Sequence, residues 1–169
     1  VIGRKIAEYA LQKVPEGNYV MVYGASTDNN AHIMKKAQLE VLQPAIDSGK
    51  VKIVADNFTP DWKPEEALKM AENALTQNGD NVQAFVVWND GMAGGVIQAL
   101  ANKGLAGKVI VTGQDAALDG LQRIAEGKQS MTVYKPIIPL ASQAVEAAIK
   151  LAKKEPLNTT PFMNENESV

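Results

Sequence analysis

The sequence has no cysteine and a single histidine, His32, in 169 residues. The first absence excludes disulfides, thiol nucleophiles and thiolate metal sites, and it suits an extracytoplasmic protein without requiring one. The second leaves no imidazole cluster at metal-ligand spacing, because His32 falls in the first turn of an expected helix without partner ligands. Neither a metal nor a cofactor is expected. An excess of one charge is missing too. The net charge of −2 offers no field to attract phosphates or anionic lipid, so nucleic acid is not an expected partner. No apolar run approaches the ~20 residues that a membrane-spanning helix needs. Val1 to Leu11 does not show the charged-then-apolar layout of a signal peptide.

Catalytic motifs are absent as well. Gly91-Met92-Ala93-Gly94-Gly95 lacks the glycine spacing of a dinucleotide-binding turn, and neither a Gly-Lys-Ser/Thr phosphate loop nor a nucleophile elbow occurs. A generic α/β enzyme would need a general acid or base, for which Asp115 is the only candidate. A binding protein, not an enzyme, is the expectation.

What is present is a regular alternation. The hydrophobic fraction of 46% and charged fraction of 21% are ordinary for a globular protein, and the length suffices for one core. Short Val/Ile/Tyr-rich runs predict strands at Tyr19 to Tyr23, Val51 to Ala55, Ala84 to Trp88, Lys108 to Thr112 and Ser130 to Tyr134. Segments of 3.6-residue period predict helices at Ala31 to Asp47, Pro64 to Thr76, Gly91 to Lys103, Leu118 to Glu126 and Ile137 to Lys153. Gly49, Gly104 and Gly127 follow three of them, where a left-handed residue ends a helix. The fold class is therefore α/β, a single lobe with a parallel five-stranded sheet flanked by helices on both faces. Both ends read as cut. The chain opens in a helical pattern (Ile2, Ile6, Tyr9, Ala10, Lys13), and Glu155 to Pro161 is linker-like.

Ligands of open parallel sheets bind beyond the carboxyl ends of the strands. The residues there are Asp28 and Asn30 after the first strand, Trp62 after the second, Asn89 after the third, Asp115 after the fourth and Lys135 after the fifth. A neutral sugar presents hydroxyls that donate and accept, so carboxylates, amides and an ammonium group form a fitting set. Its C–H face suits an aromatic platform, and Trp62 stands alone in a polar, Pro-bounded loop. The same residues have a plainer reading. Asp28, Asn30, Asn89, Asp90 and Asp115 all precede helices, where such side chains cap backbone N–H groups. Lys135 before a proline would serve as a solvated surface residue, Trp62 could cover a hydrophobic edge, and Trp88 reads as core.

The stretches Tyr23 to Ala31, Trp88 to Gly95, Thr112 to Ala116 and Met131 to Pro136 resemble the C-terminal lobe of bacterial D-xylose-binding proteins, the solute receptors of ABC importers. This resemblance implies a type I periplasmic-binding fold that closes on its sugar by a hinge motion. It places the sugar contacts on Asp28, Asn30, Trp62, Asn89, Asp115 and Lys135. Residues 1–155 would be the sugar-binding lobe and 156–169 a tail towards the hinge crossover, with the N-terminal lobe, which supplies further ligands, as the missing partner. Gly113-Gln114-Asp115 is common to many sugar receptors, whereas Thr27 to Asn30, Trp62 and Tyr134 to Pro136 point to xylose. His32 stands where related ribose receptors carry an arginine. Expected partners are a small neutral pentose and either an ABC permease or a membrane sensor kinase. The expected location is the periplasm or the outer cell surface. A sugar-responsive repressor's effector domain shares the fold, but no helix-turn-helix segment is visible.

Overall fold

The computed structural model describes residues 1–157, together with two-residue strands at Met163–Asn164 and Glu167–Ser168 that pair antiparallel. Most of the expected 156–169 tail thus lies outside the described residues. The chain divides into two units, one spanning Ile2–Tyr134, the other comprising Val1 and the residues from Lys135 onward. That division falls inside the 1–155 lobe expected from sequence.

The larger unit runs α1 (Ile2–Lys13), β1 (Gly17–Tyr23), α2 (Asn29–Asp47), β2 (Val51–Phe58), a 3-10 turn (Pro60–Trp62), α3 (Pro64–Gln77), β3 (Ala84–Val87), α4 (Asp90–Asn102), β4 (Ile110–Val111) and α5 (Leu118–Ala125). All pairings in its sheet are parallel, in the order β2-β1-β3-β4. Alternation along the two central strands decides the layering. Tyr19, Met21, Tyr23, Ala84 and Val86 pack on one face with Ile6, Ala7 and Ala10 of α1 and Leu42 of α2. Val20, Val22, Phe85 and Val87 pack on the other with Ala67, Ala71 and Leu75 of α3 and Met92, Val96 and Leu100 of α4. Burial on both faces is what an all-parallel sheet requires, and each large side chain so buried contributes ~1.5–3 kcal/mol.

Local signals set the boundaries. Gly49, Gly104 and Gly127 have φ of +75°, +66° and +72°, the left-handed stops expected of them. The register between β1 and β2 slips by one residue, pairing Tyr19 with Ile53 but Val20 with Ala55, and the resulting bulge brings Phe58 opposite Tyr23.

The sheet has four strands, not five. The segment expected as a fifth strand, Ser130 to Tyr134, makes only an isolated parallel bridge, from Val133 to Gln114. The physical reason is competition from side chains. Ser130 Oγ takes the Val111 N–H at 3.1 Å, and Thr132 turns its hydroxyl to Asp90 at 2.9 Å, so side chains interrupt the regular backbone ladder.

In the second unit, α6 (Ile137–Ala152) has no buried residue. Ile137, Ile138, Leu140, Val145, Ile149 and Leu151 are exposed, an apolar surface of the kind that marks an interaction site.

Candidate functional site

The parallel sheet carries the loops after β2, β1, β3 and β4 side by side along one edge, in that order. Five of the six residues selected from sequence lie on them: Trp62; Asp28 and Asn30; Asn89; and Asp115.

Trp62 is placed by backbone strain. Asp61 and Trp62 both adopt left-handed conformations, with φ of 50° and 61°, a cost of order 1–3 kcal/mol each that the surroundings must offset. Anchoring comes from the Thr59 N–H, which donates to the Tyr23 carbonyl at 3.1 Å, and from the Trp62 N–H, which donates to the Thr59 carbonyl at 3.3 Å. The half-buried Trp62 indole then lies over Gly24, where a Cβ would sit 2.1 Å from the ring. Trp88, 4% exposed and part of the core as expected, backs it at 4.6 Å between ring centroids.

Capping and ligand roles meet in Asp28 and Asn89. Asp28 Oδ1 accepts the Asn30 N–H at 2.8 Å at the start of α2, and Asn89 Oδ1 accepts the Met92 N–H at 2.8 Å at the start of α4. The capping reading therefore holds for both. Asn89 keeps its Nδ2 donors without a partner among the described residues, and the exposed Asn30 side chain lies in the first turn of its helix. Asp115, half-buried, has φ of +102°, and Ala116 follows at +50°, a second strained pair at the same edge. Lys135 opens the second unit, and its carbonyl accepts the Ile137 N–H at 2.8 Å.

Sequence reasoning missed the residue behind these loops. Asp90, counted there as a possible cap, is fully buried. Its Oδ1 accepts from Gln129 Nε2 at 2.7 Å, and its Oδ2 accepts from Thr132 Oγ1 and from the Ala117 N–H, each at 2.9 Å. Its carbonyl accepts from the Arg123 guanidinium at 2.6 Å. A Cβ on Gly113 would lie 2.2 Å from Oδ1, and one on Gly120 2.5 Å from Oδ2, so both glycines make room for the carboxylate. Gly113 and Gly120 were the only signal available, and a sequence does not show what a glycine makes room for.

On the α2 face of the same edge, Tyr23 donates to Asp56 at 3.1 Å, and Lys35 pairs with Asp56 at 2.9 Å while standing 4.5 Å from the Tyr23 ring centre. Burial, reinforced by the Asp56 carboxylate, pushes the Tyr23 phenol well above its ordinary range. His32 packs on Phe58 at 5.0 Å and bonds the Ser26 carbonyl at 2.8 Å through Nε2, which gives it a local packing role. A polar cavity of about 510 Å³, lined in part by Glu16, Asn18, Lys50 and Gln83, opens at the opposite, amino ends of the strands. Its lining includes none of the selected residues. Trp88 Nε1 and Gln114 Oε1 at the carboxyl edge, and both amide atoms of Gln38 within α2, are buried without a partner among the described residues.

Carboxylates, amides and a backed indole along one edge can accept from, donate to and stack on a polyhydroxylated ligand. The family model for a periplasmic binding protein domain matches residues 1–156. The chain is 48% identical to a D-xylose-binding periplasmic protein of Escherichia coli K12, a match covering 96% of this chain and 50% of that protein. It is 47% identical to a protein of the same description from Haemophilus influenzae, over 96% of this chain and 49% of that one. Among solved structures, it is similar to an ABC transporter periplasmic solute-binding protein from Actinobacillus succinogenes with bound D-allose. The TM-score is 0.81 at 27% identity, covering 96% of this chain and 57% of the other. The chain thus spans about half the length of the curated relatives it matches.

Proposed function

The chain belongs to the periplasmic binding protein family, and on that premise we propose that it forms one half of a two-lobed receptor that captures D-xylose outside the cytoplasm and delivers it to an ABC importer. The observation that carries this reading is the edge where Asp28 and Asn30, Trp62, Asn89 and Asp115 follow adjacent strands of one sheet, with Trp62 held against Trp88. Relatives at 48% and 47% identity are described as D-xylose-binding, which favours a pentose over other sugars.

Magnitudes support a shared site. A hydrogen bond to a charged group nets ~1.5–3 kcal/mol, whereas micromolar affinity needs ~8 kcal/mol. Asp28, Asn89, Asp115 and the Trp62 platform must act together, with ligands from the other lobe. The exposed apolar surface of α6 supports a second body to cover it. Nothing in this chemistry calls for turnover, and the role proposed is recognition.

Calorimetry on the two-lobed protein with D-xylose, ribose, glucose and arabinose tests the reading. Tightest binding of D-xylose is expected; no heat with any of the four sinks it.

A further inference from the structure

We infer that Asp90, buried beyond the reach of any ligand, is the positioning residue of this site. It holds the strained turn that presents Asp115, and its effect on sugar affinity passes through that turn. The inference rests on the sugar-binding reading above.

Asp115 and Ala116 both lie at positive φ, +102° and +50°, which L-residues adopt only when held. Asp90 grips this pair from both sides. Its own N–H donates to the Gln114 carbonyl at 2.9 Å, just before the turn, and its Oδ2 accepts the Ala117 N–H at 2.9 Å, just after it. The same Oδ2 accepts from Thr132 Oγ1, which in turn accepts the Ala116 N–H at 3.1 Å. The Asp115 N–H donates to the Val133 carbonyl at 2.9 Å. Every N–H from Asp115 to Ala117 is therefore held by Asp90, by a hydroxyl that Asp90 orients, or by the neighbouring segment.

The position requires a carboxylate. Donors approach both oxygens, Gln129 Nε2 on one and the Thr132 hydroxyl and Ala117 N–H on the other, so an asparagine would turn its NH₂ towards a donor in either orientation. A longer glutamate would collide with the backbone at Gly113 and Gly120. A residue serving the core alone would be replaced at lower cost by an apolar one, since burying a charge is expensive. Asp90 also directly follows Asn89 in sequence, but the Asn89 side chain is held by its own cap on the Met92 N–H, which leaves the Asp115 turn as the route from Asp90 to the sugar.

The test uses the two-lobed protein and a double-mutant cycle. Asp90→Asn is expected to weaken D-xylose binding by about 10- to 100-fold, the usual consequence of loosening a residue that supports a contact. In an Asp115→Ala background, where the side chain that the turn presents is gone, the same substitution should change affinity by less than about 3-fold. Equal losses in both backgrounds, or no loss in the first, overturn the inference. Should Asp90→Asn not fold, Thr132→Val must lose affinity while Thr132→Ser, which keeps the hydroxyl, retains it; parallel behaviour of those two also overturns it. Amide shifts of Ala116 and Ala117, read without sugar, separate this inference from the functional reading. A wild type that binds no sugar fails the reading, and unchanged shifts in Asp90→Asn fail the positioning role itself.

Discussion

Gly24 and Trp62 share one space: a single added carbon on Gly24 would stand 2.1 Å from the indole. The platform is thus built by an absent side chain as much as by a present one. Gly24→Ala must push Trp62 off its seat against Trp88, and binding should weaken as in Trp62→Ala, by ~1–3 kcal/mol on the scale of lost aromatic contacts. The chain contains two tryptophans, so loss of their exciton coupling in circular dichroism reports the displacement directly. Coupling lost with xylose affinity unchanged would remove Trp62 from the site.

Asn89 separates capping from recognition. Its Oδ1 caps α4, a job that aspartate performs equally well. Asn89→Asp should leave the melting temperature nearly unchanged yet lose about 1 kcal/mol of sugar binding, as the amide donors vanish. Asn89→Ala should lose both, with ~1 kcal/mol of stability going with the cap. Melting curves and calorimetry on the two variants distinguish the roles; equal affinity for Asn89→Asp and wild type would leave only the cap.

Much of this arrangement was legible before any coordinates. Pro64 opening a helix, the glycine stops and the short apolar run Tyr19 to Tyr23 each carry a local cause, and the structure places those elements within a few residues of expectation. Non-local competition was not legible. Ser130 to Tyr134 reads as a strand by composition, yet Ser130 Oγ in place of a backbone carbonyl takes the Val111 N–H of β4, and Thr132 Oγ1 turns to Asp90, 42 residues away. Asp90 was hidden for the same reason. An aspartate at a helix start looks like a cap, and only the folded chain brings Gln129 and Thr132 to its carboxylate.

Gly113 tests that buried cluster by crowding. Alanine there would place a carbon 2.2 Å from Asp90 Oδ1 and 2.4 Å from Gln129 Nε2. Both partners are fixed by hydrogen bonds, so Gly113→Ala should destabilise by ~1–3 kcal/mol, the range for overfilling a packed interior. The urea midpoint reports it, and a midpoint equal to wild type would show that the cluster relaxes freely.

Alkaline pH probes the α1–α2 face of the sheet. Tyr19 is fully buried and donates to the Val14 carbonyl at 2.6 Å, and burial pushes its phenol up to about 12 from the ordinary 10. A group whose pKa is raised in the folded state contributes stability that is fully present below the unfolded value and is lost as pH rises through the folded one. Stability should therefore hold to about pH 10 and fall between pH 10 and 12, by about 2–3 kcal/mol from Tyr19 alone. Tyr23, raised further by burial and by Asp56, steepens the fall in the same direction. Tyr19→Phe cannot ionise and should flatten the dependence, while giving up about 1 kcal/mol at neutral pH with its hydrogen bond. Urea midpoints from pH 8 to 12 compare the two proteins; parallel curves would show that ionisation of Tyr19 is not coupled to unfolding.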